Sequence, residues 1–458
     1  MAYISRAQAD QRLAPWIGST TGDPLGLWLL AMIYVKVFFN FTPFQRDGIS
    51  AVSEGGSTTN QLYWLGIMAF ACFVIWRNWG TAMELLRRSW IYFLPIIWFA
   101  VTILWSPEEG TTLRRSILMI LMSGVAFGVA AARPSPRDFL NISALVIGAI
   151  LFFSVLSIFL VPHLGRSPGG QFLGIYNHKN GAGYVAAMTF LFWIFLVLST
   201  LRFEMKIIAL FASFLWLFFL VGTLSKTSLG LALVTPLVGI SLYYVLQLDL
   251  QWRVISYVAG TVLFGVMVWA VLYINWTIED IGILIFDDLT FTSRTMVWEY
   301  VIRSIEERPL LGHGYGSFWK TADGLANRLG AEKGSGWAQT VGSAHNGYLN
   351  VWLETGLIGL LLCVTTMVIV FRRILMVMKQ PAELPQDRWV YATLLSITVF
   401  LYLHATMESS LYMAHSGSTI LFFMVAYLVT LWRWQAEELQ VLGAWEARRL
   451  SSHSRFPH

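Results

Sequence analysis

The stretch GSAHNGYLNVWLETGLIGLLL, from Gly342 to Leu362, starts with small and polar residues and continues as a long apolar run. A run of this kind is typical of a membrane helix, which needs about 20 apolar residues to cross the hydrocarbon. Such a helix requires neither the histidine nor the asparagine that open it. Two interpretations of His345 remain open: an interfacial ring beside a helix cap provided by Ser343 or Asn346, or a reactive group at the membrane surface.

The composition of the whole chain indicates a membrane protein. Hydrophobic residues make up 56% of the 458 residues, charged residues only 12%, and the mean hydropathy is +0.62. The chain therefore has too little polar surface for a soluble fold. The net charge of +5 does not indicate nucleic acid as a partner, because no basic stripe alternates with aromatic residues. Cys72 and Cys363 both fall in apolar runs and imply no disulfide.

Apolar runs along the chain predict an all-α, polytopic membrane protein with about twelve transmembrane helices. The first 24 residues are polar and carry Arg6 and Arg12, so no cleavable signal sequence is expected there, and Lys and Arg residues concentrate in the short loops on the side of the N-terminus. Both termini are therefore expected in the cytoplasm. The predicted divisions are a cytoplasmic N-terminus at 1–24, transmembrane helices 1–9 within 25–275, a long periplasmic loop at 276–345, transmembrane helices 10–12 within 346–432, and a cytoplasmic tail at 433–458.

The long loop is expected to fold, since loops of this length between helices are usually functional. Val297, Val301 and Ile305 recur at every fourth position of SRTMVWEYVIRSIEERP, and Pro309 ends the pattern, which predicts an amphipathic helix. A second amphipathic stretch is predicted over SFWKTADGLANRLG, with Phe318, Leu325 and Leu329 on one side. Helices of this kind lie along a bilayer surface.

The quoted stretch resembles the signature of the O-antigen ligase and polymerase-like superfamily. In that signature, a His and a polar residue open a helix that continues through Leu, Glu and a Gly-x-x-Gly pair, here His345, Asn346, Leu349, Glu354, Gly356 and Gly359. The segment before it is similar to the outer loop of the same family, which has an Arg-x-x-x-Trp opening and a Pro-x-x-Gly-x-Gly close. The matching residues are Arg294, Trp298, Pro309, Gly312 and Gly314.

Two further motifs bear on the type of family member. YNHKNGAG, from Tyr176 to Gly183, resembles the bacterial exopolysaccharide polymerases of the succinoglycan type, although capping of the next helix by Asn180 explains it equally well. SKTSLG, from Ser225 to Gly230, has Lys226 where the ligases usually carry an Arg. This departure favours a polymerase over a ligase.

The resemblance implies a GT-C-like helical membrane fold and an enzyme of the bacterial inner membrane. Its substrate would be an oligosaccharide linked to polyprenyl (undecaprenyl) pyrophosphate, transferred at the outer face to a hydroxyl of another lipid-linked repeat unit. Membrane lipid, a flippase and a chain-length regulator of the same pathway would be its partners. A ligase that transfers glycan to lipid A core and a polytopic transporter remain as alternatives, although the chain has no evident internal repeat of the kind many transporters show.

The chemistry of such a transfer assigns expected roles to particular residues. His345 would be the base that activates the acceptor hydroxyl, and Arg294 and a buried Lys226 would neutralise the pyrophosphate. We expect His178, Lys179, Asn180, His313, Asn346 and Glu408 to bind substrate, with Glu408 alternatively orienting the base. The acidic residues Glu279, Asp280, Asp287 and Asp288 lack a regular ligand spacing, so the sequence predicts a metal-independent glycosyltransferase with no metal site and no cofactor.

Overall fold

The computed structural model describes residues 22–39, 41, 58–200, 202–273, 290–320, 342–379 and 387–453. These residues form helices and their connections, with one isolated bridge between Arg166 and Phe172. The helices are α1 (Pro24–Phe38), α2 (Thr58–Arg77), α3 (Trp79–Ser89), α4 (Phe93–Val101), α5 (Glu109–Ala131), α6 (Pro136–Leu160), α7 (Pro162–Gly165), α8 (Lys179–Ser199), α9 (Phe203–Gly222), α10 (Lys226–Gln247), α11 (Leu250–Tyr273), α12 (Thr290–Glu307), α13 (Gly347–Met378), α14 (Asp387–His404) and α15 (Gly417–His453).

Among the described residues, eight helical segments are long and apolar enough to cross a membrane. They are Trp79–Trp105, Glu109–Ala131, Pro136–Leu160, Lys179–Ser199, Phe203–Gly222, Lys226–Gln247, Gly347–Met378 and Gly417–Glu438, and two shorter apolar helices are Pro24–Phe38 and Gln61–Arg77. The prediction of an all-helical, polytopic membrane protein is therefore confirmed. The number twelve, the GT-C-like topology, the domain divisions and the orientation of the termini stay predictions.

Helix α15 lies at the centre of the bundle. Its residues from Ile420 to Leu431 are all buried. The hydroxyl groups of Tyr427 and of Ser123 in α5 share a hydrogen bond of 2.7 Å. The helix continues to His453, so residue 433, the predicted start of the tail, does not mark a helix end.

One end of the bundle is fixed by Asp23, which caps α1. Its carboxylate pairs with Arg77 at 2.8 Å, and its backbone N–H donates to the carbonyl of Ala132 at 2.9 Å. The start of α1 and the ends of α2 and α5 therefore meet here.

The long loop contains the predicted amphipathic helix, which is α12. Its apolar residues Val297, Val301 and Ile305 are all buried, and they form one cluster with Ala344 and Leu353. The apolar face thus packs on the start of α13. Phe318 of the second predicted stretch joins the same cluster. Leu325, Leu329 and the four acidic residues at 279, 280, 287 and 288 lie outside the described residues.

Helix α13 is interrupted at Gly356, where φ is 70° and a side chain would be strained. The chain after α12 fills the break: the N–H of Leu357 donates to Pro309 at 2.8 Å, and the N–H of Gly314 donates to the carbonyl of Glu354 at 2.8 Å. A Cβ atom at Gly356 would lie 2.1 Å from the carbonyl oxygen of Leu310. An added Cβ atom at Gly312 would in turn lie 2.5 Å from the backbone nitrogen of Gly356, so one glycine of each family motif allows this close docking.

Candidate functional site

Three side chains from distant parts of the chain converge on the carboxylate of Glu408. Its Oε1 accepts from Nη2 of Arg294 at 2.9 Å and from Nδ2 of Asn180 at 2.8 Å, and its Oε2 lies 3.2 Å from Nδ1 of His345. We call these four residues the Glu408 cluster. Asn180 and Glu408 are 228 positions apart in the chain.

Each member of the Glu408 cluster lies near a helix end. Asn180 is in the first turn of α8, and Arg294 is in the first turns of α12. His345 comes just before the cap of α13, and Glu408 follows α14, where its N–H donates to the carbonyl of His404 at 2.9 Å. The polar groups of the cluster thus gather where these helix ends meet.

The Glu408 carboxylate is largely shielded from solvent. The exposed fractions of the side chains are 19% for Glu408, 21% for Arg294 and 39% for His345. Burial alone raises the pKa of Glu408, but the hydrogen bond to His345 and the positive charge of Arg294 outweigh it, so the pKa lies below its ordinary value. Glu408 is therefore ionised at neutral pH.

An ionised carboxylate can only accept hydrogen bonds, and this assigns the proton on the His345 ring. Nδ1 carries the hydrogen that faces Glu408, and Nε2 of the neutral ring is left with a lone pair. This arrangement holds an imidazole in the tautomer and orientation that a general base needs. Of the two cap candidates, Asn346 is the cap of α13, since its side-chain oxygen accepts from the N–H groups of Tyr348 at 3.0 Å and Leu349 at 3.1 Å. A reactive role for His345 stays a prediction.

His178 and Lys179 lie beside the cluster. Nδ1 of His178 accepts from the N–H of Asn180 at 3.1 Å, so the histidine, rather than the predicted Asn180, caps α8. Desolvation lowers the pKa of His178, Glu408 raises it, and Lys179 and His345 lower it, with a net value below the ordinary one. His178 therefore adds a neutral polar ring to the edge of the cluster.

His313 has a structural contact. Its Nε2 lies 2.8 Å from the carbonyl oxygen of Ser304 in α12, and its ring packs edge-on against Phe318. These contacts hold the glycine-rich chain against α12. A role for His313 in substrate binding stays a prediction.

Lys226 is the first residue of α10, and its side chain is exposed. The expectation of a buried cation is wrong, because the helix begins at Lys226 itself and leaves it at the bundle end. Over the described ranges, Lys226 takes part in no ion pair. Its neighbour Ser225 lies against Gly183 in α8, where an added Cβ would be 2.4 Å from Cβ of Ser225, so the start of α10 is close to that of α8. A catalytic role for Lys226 stays a prediction.

From the sequence, Glu408 is expected to bind substrate or to orient the base, but no sequence pattern indicates that Asn180 and Arg294 contact it as well. His404 is the last residue of α14, four positions before Glu408, whose backbone N–H donates to the His404 carbonyl at 2.9 Å. The His404 ring is buried, stacked on Phe400 and close to Tyr184. The described part of the chain contains no group of three or more His, Cys, Asp or Glu residues suited to a metal ion.

Part of the chain matches a known protein family. The family model described as O-antigen ligase matches residues 187–364, which include Arg294 and His345 but neither Asn180 nor Glu408. The helices long enough to span a membrane and the family match together indicate a multi-pass membrane protein with an O-antigen ligase-like domain.

Among individual proteins, the chain is similar to the exopolysaccharide production protein ExoQ of Rhizobium meliloti (strain 1021). The two are 26% identical over 347 residues, which cover 74% of this chain and 76% of the relative. The predicted resemblance to the O-antigen ligase and polymerase-like superfamily is confirmed. Both findings support a role of the polysaccharide polymerase or ligase type.

The contacts of Glu408 predict its contribution to stability. Glu408→Ala leaves Arg294 and Asn180 without their shielded acceptor, which costs about 1–3 kcal/mol. We expect a clear loss of thermal stability for the full chain in detergent. The matched control is Glu299→Ala, which breaks the exposed ion pair of Glu299 with Arg303 on the same helix α12 and should cost less than about 1 kcal/mol. Equal unfolding temperatures for the two variants would contradict the central position of Glu408.

Proposed function

We propose that this protein polymerises oligosaccharide repeat units carried on polyprenyl pyrophosphate, at the outer face of the bacterial inner membrane. It would be a metal-independent glycosyltransferase that makes an exopolysaccharide or O-antigen-type polymer. The observation that carries this proposal is the Glu408 cluster, in which one carboxylate contacts both an imidazole and a guanidinium. A base and a cation are the two groups that transfer from a pyrophosphate donor requires.

In the proposed reaction, a hydroxyl of the acceptor repeat unit attacks the anomeric carbon of the donor. A new glycosidic C–O bond forms, the C–O bond to the pyrophosphate breaks, and the lipid pyrophosphate leaves with the electron pair. Nε2 of His345 takes the hydroxyl proton. Glu408 stabilises the resulting imidazolium, as an ionised carboxylate can.

Arg294 is suited to the pyrophosphate because Glu408 occupies only part of its guanidinium. Among the described residues, Glu408 accepts from Nη2, and Nη1 makes a weak contact of 4.0 Å with the sulfur of Met407. The remaining donors can take phosphate oxygens, with the planar geometry that Arg offers. Lys226 would add a second cation from the start of α10, and His178, Lys179 and Asn180 would line the sugar path.

A second candidate is ligation of a finished glycan to lipid A core, which the description of the matched family favours. The donor and the base would be the same, and only the acceptor would differ. Purified protein supplied with lipid-linked repeat units alone separates the two: a polymerase makes polymer from them, whereas a ligase makes product only when lipid A core is added. The flippase and the chain-length regulator remain proposed partners.

The first functional prediction concerns the base. General base catalysis is typically worth 10²–10⁴-fold, so His345→Ala should lower the polymerisation rate by about that factor. The variant should still insert, and single lipid-linked units should accumulate in cells. His163→Ala, which removes an exposed histidine of α7 outside the cluster, should leave the rate unchanged. Polymer at the normal rate from a well-expressed His345→Ala protein would rule out this role.

The second prediction concerns the shape of the cation. Lys carries the charge of Arg but not its planar pair of donors. Arg294→Lys should therefore be nearly as impaired as Arg294→Ala in the same assay. Arg303→Lys, an exposed change on the same helix, is the control and should be active. Nearly full activity of Arg294→Lys would contradict a two-point contact between Arg294 and the phosphates, and would mean that this position of α12 needs only a positive charge.

The third prediction concerns the phosphate charge. If Lys226 and Arg294 neutralise it, the purified enzyme should keep its activity in a chelator, Lys226→Met should lose most of it, and Lys226→Arg should keep part. Lys206→Met, an exposed change in α9, serves as the control. Loss of polymer in chelator together with an active Lys226→Met variant would show that a metal ion carries the charge.

A further inference from the structure

The backbone around His345 is held unusually tightly. His345 has a φ of 46°, in the left-handed region that residues with a side chain seldom adopt. A strained conformation of this kind persists only where the surroundings impose it. The contacts of the neighbouring residues therefore show what fixes the imidazole.

On one side of His345, Ala344 is completely buried and both of its backbone groups are engaged. Its carbonyl oxygen accepts from Nε1 of Trp298 at 2.9 Å, and its N–H donates to Oδ1 of Asn350 at 3.2 Å. The same Asn350 oxygen accepts from Nε1 of Trp319 at 2.8 Å. Asn350 is itself fully buried, so its acceptor has a fixed position.

On the other side, the backbone is tied to the segment that carries Glu408. The N–H of Asn346 donates to Oγ of Ser409 at 3.2 Å, and the N–H of Gly347 donates to the carbonyl of Ala405 at 2.7 Å. The backbone of His345 is thus held on both sides by hydrogen bonds of the adjacent residues, Ala344 before it and Asn346 and Gly347 after it. The Ala344 anchor sets the direction in which its ring leaves the backbone, and the 405–409 anchor sets its distance from Glu408.

We propose that Trp298 and Asn350 are positioning residues that clamp Ala344 and so hold the His345 ring against Glu408 with Nε2 aimed at the acceptor hydroxyl. The inference rests on the proposed function. Trp298 lies one turn after Arg294 on α12, so a single helix places the phosphate-binding cation and fixes the base. The indole N–H of Trp298 acts through Ala344 and touches no substrate.

The test uses substitutions that remove the hydrogen bonds made to Ala344; one of them, Asn350→Leu, also removes the acceptor of Trp319. Trp298→Phe keeps an aromatic ring and loses the N–H. Trp352→Phe is the matched control, because Nε1 of Trp352 donates to the carbonyl of Pro309 at 3.0 Å and so links α13 to the same loop without involving Ala344. Asn350→Leu removes the acceptor on the other side of Ala344. All variants are purified as the full chain and assayed for initial polymerisation rate with lipid-linked repeat units.

A displaced base slows the chemical step more than it weakens substrate binding, and a shift of about 1 Å can cost as much as about 10²-fold. We expect kcat to fall about 10- to 100-fold in Trp298→Phe, with KM within about twofold of the parent value. Trp352→Phe should keep the parent kcat. In a double-mutant cycle, Trp298→Phe should have little further effect on kcat in a Glu408→Gln background, since both changes disturb the same His345 contact.

Three results would overturn the inference: a kcat of Trp298→Phe equal to that of Trp352→Phe, a lower unfolding temperature with normal kcat per folded molecule, or additive effects with Glu408→Gln. His345→Ala, run alongside, separates this failure from failure of the proposed function. If His345→Ala is inactive and Trp298→Phe is normal, only the clamp is wrong. If His345→Ala is active, the proposed base itself is wrong. If Asn350→Leu fails to fold, Trp298→Phe still decides.

Discussion

The site depends on one negative charge, that of the Glu408 carboxylate. A carboxylate shielded from solvent must be paired and hydrogen-bonded, or it takes up a proton. Arg294, Asn180 and His345 meet that requirement with one hydrogen bond each. Since the three side chains come from α12, α8 and the start of α13, the same charge joins three parts of the chain that share no local sequence relationship.

The position of Arg294 in turn depends on how α12 is docked. Its apolar face packs on the start of α13, and the glycine-rich chain that follows enters the break of α13 at Gly356. At the break, backbone groups of α13 that have lost their helical partners pair with this chain. Without it, they would be unsatisfied at membrane depth. The break in α13 thus binds the chain that follows α12 and thereby fixes the end of the helix that carries Arg294.

Features with a local cause could be predicted from the sequence. The spacing of Val297, Val301 and Ile305 predicted the apolar face of α12, and all three are buried. The convergence on Glu408 could not be predicted, because its partner Asn180 is 228 positions away and no periodicity connects them. The burial of Lys226 was wrongly expected because hydropathy locates an apolar run but not the residue at which its helix begins, and here that residue is Lys226 itself.

The amphipathic character of α12 is explained by the substrate that the proposed function requires. A polyprenyl pyrophosphate has its tail in the hydrocarbon and its phosphates at the level of the lipid headgroups. A cation that binds those phosphates must lie at the same depth. A transmembrane helix has only its last turn at that depth. A helix lying along the interface can present Arg294 and Trp298 one turn apart at a constant depth, while its apolar face stays buried on α13. Under the proposed function, the same helix would therefore set both the depth of the cation at the headgroups and the position of the base beside it.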